Sequence, residues 1–160
     1  MNNLCTDIGW MSLNKKGEQL CGDHVDIVPQ GENSTVVVLA DGMGSGVKAN
    51  ILSTLTAKII STMMAEGLHV EDCVETIAMT LPICKVRQVA YSTFAILQIF
   101  RDGRAYLVEY DTPACIVIRD GQKLEKTFPP FTPFPFNYSA RQVRYAQDGT
   151  VTIRLLFSCQ

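Results

Sequence analysis

The stretch LADGMGSGVKAN, residues 39–50, joins an apolar run to a long helical pattern. The run before it, STVVVLA (34–40), is β-branched and unbroken by a polar side chain until Asp41. Such a run predicts a buried strand. Beyond the glycines, Val47, Ile51, Leu52, Leu55, Ile59, Ile60, Met63 and Met64 recur at helical spacing. They predict a helix with this stripe facing the core, capped by Ser45 and ended by Gly67. An aspartate and alternating glycines at such a junction can cradle phosphate, hold a cation or simply turn the chain. Both nucleotide patterns fail on register. Counting from Gly42, Val47 falls where a phosphate-binding loop and a dinucleotide fingerprint each need glycine.

The residue that stands out is Asp41, at a strand end directly before glycine. A carboxylate there is held on a rigid element, and the glycine leaves a backbone carbonyl open to coordination. Asp23, in CGDH (21–24), again follows a glycine at the start of a strand. If the two strands pair, Asp23 and Asp41 converge and offer the oxygen ligands that Mg²⁺ or Mn²⁺ prefer. Both aspartates also suit plain turns, so the pattern alone leaves both readings open. His24 reads as a ligand, a base or a surface residue. Lys48 and Asn50 open the helix and face either an anionic substrate or solvent. Ser92 and Thr93 have no neighbouring base, so a nucleophilic triad has no support.

Working outward, residues 5–14 and 24–28 read as two strands around a loop. Residues 70–81 read as a second helix, with Val70, Val74, Ile77 and Leu81 as its stripe and Glu71 and Asp72 at its positive end. From residue 91 the period becomes that of strands: YSTFAILQIF, the turn RDGR, AYLVEY, the turn DTP, ACIVIR and an Asp-Gly at 120–121. FPPFTPFPF (128–136) is too rich in proline for a ladder and reads as a loop or an edge. RQVRYA and VTIRLLF read as a last hairpin around Asp148–Gly149. Strands, two helices and many antiparallel strands predict an α+β domain.

The 160 residues suit one domain, and a net charge of −2 offers no electrostatic pull toward nucleic acid or an anionic membrane. No apolar run is long enough for a spanning helix, and the N-terminus lacks a signal peptide pattern. Six cysteines without a Cys-x-x-Cys pair, beside only two histidines, argue against zinc and for reduced thiols in a cytoplasmic protein.

GDH (22–24), VVVLADGMGSGVKAN (36–50), YSTFAILQI (91–99) and YDTPACIVIRDG (110–121), in that order, resemble the metal-dependent protein phosphatases of the type 2C superfamily. More narrowly they resemble the bacterial branch typified by the sporulation stage II phosphatase E. The resemblance implies a two-layer antiparallel β-sandwich flanked by helices. It implies hydrolysis of phosphoserine or phosphothreonine with two Mn²⁺ or Mg²⁺ ions. It casts Asp41 as bridging both ions, Gly42 as a carbonyl ligand and Asp23 as holding the second ion, directly or through water. Asp23 and Asp41 are then the catalytic pair.

The sequence departs from the family pattern at its end. Cys159 stands where a further metal aspartate is expected, and Gln160 follows. The expectation is therefore a single phosphatase-like domain over 1–160, incomplete at its C-terminus, whether truncated or naturally short. Its partner is a phosphoprotein substrate or regulator in bacterial signalling, with a second copy joining through an unpaired sheet edge. The alternative is a non-catalytic module of the same fold that binds a phosphoprotein or regulator.

Overall fold

The computed structural model describes residues 6–81, 92–113, 115–119, 121–123, 138–144 and 151–154. The described elements run β1 (Asp23–Gln30), β2 (Ser34–Gly42), α1 (Gly46–Ala65), α2 (Val70–Thr80), β3 (Ser92–Phe100), β4 (Arg104–Tyr110), β5 (Ile116–Arg119), β6 (Gln122–Lys123), β7 (Tyr138–Arg144) and β8 (Val151–Arg154). The strands form two antiparallel sheets, ordered β1-β2-β3-β4-β7 and β6-β5-β8. This is the expected α+β sandwich with helices on a face.

Strand alternation divides the larger sheet into two cores. Val36, Val38, Phe94, Ile96, Val108 and Tyr110 face α1 and α2, and pack with Ile60, Met64, Val74 and Ile77. Phe94 and Tyr110 stack with ring centroids 4.8 Å apart. Each such side chain contributes on the order of 2 kcal/mol by leaving water. The opposite face carries Val37, Ala95, Leu97, Ala105 and Leu107, which pack with Cys115 at the entrance to β5.

Helix α2 follows its expected stripe, burying Val70, Cys73, Val74, Ile77 and Ala78. Burial and the neighbouring Asp72 push the Cys73 thiol up to about 11, so it is a packing group and not a nucleophile. Helix α1 follows its expected stripe in its second half, where Ile60 and Met64 are buried and Ile59 and Met63 pack against the core, and departs from it in the first half. Val47, Ile51 and Leu55 are exposed at 63%, 51% and 53%, while Ala49, Ser53, Thr56, Ala57, Ile60, Ser61 and Met64 face inward. Small residues on the inner face let the helix axis approach the sheet. Hydropathy periodicity underweights them and, in the first half of the helix, follows the outer face instead.

Two strand expectations also change. Residues 6–22 hold no regular element. Their apolar residues fall on both alternating faces (Ile8 and Trp10 against Met11 and Leu13), so a strand there has no single face to bury. Among the described residues the last hairpin does not form as a pair. β7 adds to β4 in the larger sheet and β8 to β5 in the smaller one, because consecutive strands of a sandwich can cross between layers. Residues 128–136 and 148–149 lie outside the described residues.

Asp26 ties β1 to α1. Lys58 Nζ donates to both of its carboxylate oxygens at 2.9 and 2.8 Å, and Ser61 Oγ donates to Oδ2. Burial opposes ionisation of Asp26, but these hydrogen bonds and the Lys58 charge outweigh it and hold the carboxyl below its ordinary value. The stability it supplies is present above its unfolded pKa and lost as pH falls through the lower folded one. Asp26→Asn is expected to lower urea-unfolding stability at pH 7 by about 1–2 kcal/mol, with the gap to wild type closing in acid.

Candidate metal centre

Pairing of β1 with β2 sets Asp23 opposite Asp41, and pairing of β2 with β3 sets Asp41 opposite Thr93. The three residues form a row across one end of the sheet. Alternation puts them on the sandwich face, with Val25, Val37 and Ala95. The convergence expected of the two aspartates is therefore present. Burial, then the like charge of Asp23, then the hydrogen bond between the two carboxyls push Asp41 up to about 6. A carboxylate pair held in this way favours a cation between its members.

The turn around the pair is set by close approach of α1. The Gly42 N–H donates to the Gly22 carbonyl at 3.0 Å, joining the residues that flank the two aspartates. A Cβ at Gly42 would stand 2.0 Å from the Ala49 carbonyl oxygen. A Cβ at Gly22 would stand 3.2 Å from Ala49 Cβ and 3.6 Å from the Gly42 oxygen. Glycine is needed at position 42, because the first turn of α1 lies directly on it, and is favoured at position 22, where the approach is less close. Asn50 Nδ2 donates to the Cys21 carbonyl at 2.9 Å, and Ser92 Oγ donates to the Asp41 carbonyl at 3.1 Å. Helix α1 and β3 thus brace both aspartate-bearing strand ends.

The remaining candidates separate from the pair. His24 points to the helix face, its Nδ1 3.4 Å from Thr54 Oγ1. Lys48 is exposed, and Asn50 faces the chain before Asp23 instead of solvent. The donors that fit a metal are the two carboxylates and the Gly42 carbonyl, a hard oxygen set suited to Mg²⁺ or Mn²⁺. Among the described residues no cluster of three or more His, Cys, Asp or Glu side chains gathers.

Sequence reasoning missed two residues and the placement of a third. Thr93 enters the row only through the register of β3. Glu109 is buried on the same face, where its Oε1 accepts the Cys115 N–H and closes the turn from β4 to β5. Glu18 accepts the Ser45 hydroxyl at 2.9 Å across 27 positions of sequence. No local pattern marks any of these contacts.

The fold is one found in solved PP2C phosphatase domains. The structure aligns over 92% of its length with the PP2C phosphatase domain and regulatory fragment of SpoIIE from Bacillus subtilis, at a TM-score of 0.63 and 18% identity. It aligns over 89% with RsbX in complex with magnesium, at 0.65 and 21%, and over 87% with the RsbU and RsbW domains of a Mycobacterium tuberculosis protein, at 0.63 and 14%. The chain spans 41% of the SpoIIE structure, 70% of RsbX and 40% of the RsbU and RsbW structure. Residues 31–151 match the family model described as Stage II sporulation protein E (SpoIIE), and the chain belongs to that family. The match covers Asp41 and Gly42 and begins after Asp23. Comparison with curated protein sequences gives no match.

Proposed function

We propose that the chain is a metal-dependent phosphatase domain acting on phosphoserine or phosphothreonine in a protein substrate. The observation that carries this reading is the facing of Asp23 and Asp41 across β1 and β2 beside the Gly42 carbonyl. Asp41 and Asp23 would hold Mn²⁺ or Mg²⁺, with Gly42 adding its carbonyl. When bound, divalent ions lower the pKa of a coordinated water and neutralise phosphoryl charge. The protein's own part is to hold the carboxylates rigidly at a sheet end and to keep the glycine turn low enough for a phosphate to approach. The magnesium complex of RsbX, a structure of the same fold, supports the choice of ion class.

The partner in this reading is a phosphoprotein or its regulator. The setting is cytoplasmic, which the buried cysteines Cys21, Cys73 and Cys115, none of them in a disulfide, support. Among the described residues no helix is long and apolar enough to cross a membrane. A second copy pairing through an open sheet edge belongs to the same proposal, with β1 an edge strand among the described residues.

The test is hydrolysis of p-nitrophenyl phosphate and of a phosphoserine protein with Mn²⁺, with and without chelator. Turnover is expected to require the metal and to survive His24→Ala, since His24 faces away from the pair. Metal-independent turnover would sink the reading. Phosphoprotein binding that survives chelation without turnover would identify the non-catalytic module instead.

A further inference from the structure

Helix α1 begins without a local cap. Its first turn carries no acidic residue, and Ser45, at the N-cap position, makes no hydrogen bond from its side chain to the helix. The Ser45 hydroxyl instead donates to Glu18 Oε1 at 2.9 Å. The other oxygen of Glu18 lies against Gly46, where a Cβ would stand 2.6 Å from it. A carboxylate from the irregular segment 6–22 thus occupies the positive end of a 20-residue helix. The turn it touches holds two glycines in left-handed conformations. Gly44 and Gly46 hold φ of +103° and +69°, and glycine loses more conformational freedom on ordering than any other residue. Asp41 and Gly42 immediately precede this turn.

We propose that Glu18 is a positioning residue for the metal turn, holding Ser45 and Gly46 so that the Gly42 carbonyl and Asp41 are presented in one arrangement. The proposal rests on the metal-site reading above. Glu18 touches neither ion nor substrate and acts through Ser45. Its carboxylate matters here as a hydrogen-bond acceptor in a fixed place, so glutamine should replace it and alanine should not.

The experiment is Mn²⁺ titration of the full chain by calorimetry, with Tm measured on the same samples. Glu18→Ala is expected to weaken Mn²⁺ binding about fivefold, as partial loss of a hydrogen bond to an ionised group would. Ser45→Ala should weaken it similarly, and the double variant should be no weaker than either single one, because both remove the same contact. Glu18→Gln should bind within about twofold of wild type. Wild-type Mn²⁺ affinity in Glu18→Ala, even with a lowered Tm, would show a role in helix stability alone and overturn the proposal. Glu18→Gln as weak as Glu18→Ala would show an effect of charge and overturn it too. Wild-type affinity in Asp41→Asn would remove the metal-site reading, and this proposal with it. Loss of binding in Asp41→Asn with none in Glu18→Ala removes this proposal alone.

Discussion

Gly42→Ala is expected to destabilise the domain by about 3 kcal/mol or more, a large share of the ~5–15 kcal/mol that holds a typical domain together. The new Cβ would stand 2.0 Å from the Ala49 carbonyl oxygen and 2.9 Å from its Cα. The obstacle is backbone, so no rotamer change relieves it. Either α1 lifts from the sheet or the end of β2 is displaced, and each opens the core that Ala57, Ile60 and Met64 fill. Gly22→Ala is milder, since its Cβ would meet Ala49 Cβ at 3.2 Å. Ala49→Gly should therefore rescue Gly22→Ala and leave Gly42→Ala unrelieved. Gly9→Ala, with nothing within 4 Å, should be neutral. Urea unfolding of the three single variants and the two doubles with Ala49→Gly checks the series. Equal stability of Gly42→Ala and wild type would mean that α1 does not rest on this turn.

This series shows what was legible in the sequence. The turn at 39–50, its aspartate and both helices lie in local pattern, whereas the pairing that brings Asp23 to Asp41 entered only as a condition. What the sequence did not reveal is which face the first half of α1 buries. Val47, Ile51 and Leu55 carry the hydropathy signal, whereas Ala49, Ser53 and Thr56 carry the contact. Close packing of helix on sheet selects small residues, and their burial leaves almost no trace in a hydropathy pattern. The separation of β7 from β8 was illegible for another reason. Two strands around an Asp-Gly turn look alike whether they pair with each other or cross between layers. Glu18 and Thr93 join the site only through contacts distant in sequence.

Asp41→Asn is expected to act in opposite directions on the metal-free protein and on the metal-bound one. In the metal-free protein, Asp41 is raised from an ordinary 3.8 to about 6, first by burial and then by Asp23. A carboxyl with a raised folded pKa favours folding in its protonated form. Its contribution is fully present below pH 3.8 and lost as pH rises through about 6. Each pH unit between the two pKa values is worth about 1.4 kcal/mol. Asp41 is only half-buried and water screens it, so about 1 kcal/mol is the expected net cost at pH 8. Asparagine keeps the shape and removes the charge. The variant should therefore be more stable than wild type at pH 8 without metal, and equal to it below pH 3.8. With Mn²⁺ the order reverses. Wild type should gain Tm by mass action, while the variant should bind more than about 100-fold more weakly, since even outer partners of metal ligands cost about 10–100-fold when lost. Phosphatase turnover should fall with it. A residue placed for folding would lose stability on substitution under both conditions. A metal-free Asp41→Asn protein less stable than wild type at pH 8 would show that the pair is a structural turn, and that the row Asp23, Asp41 and Thr93 was not built to meet a cation.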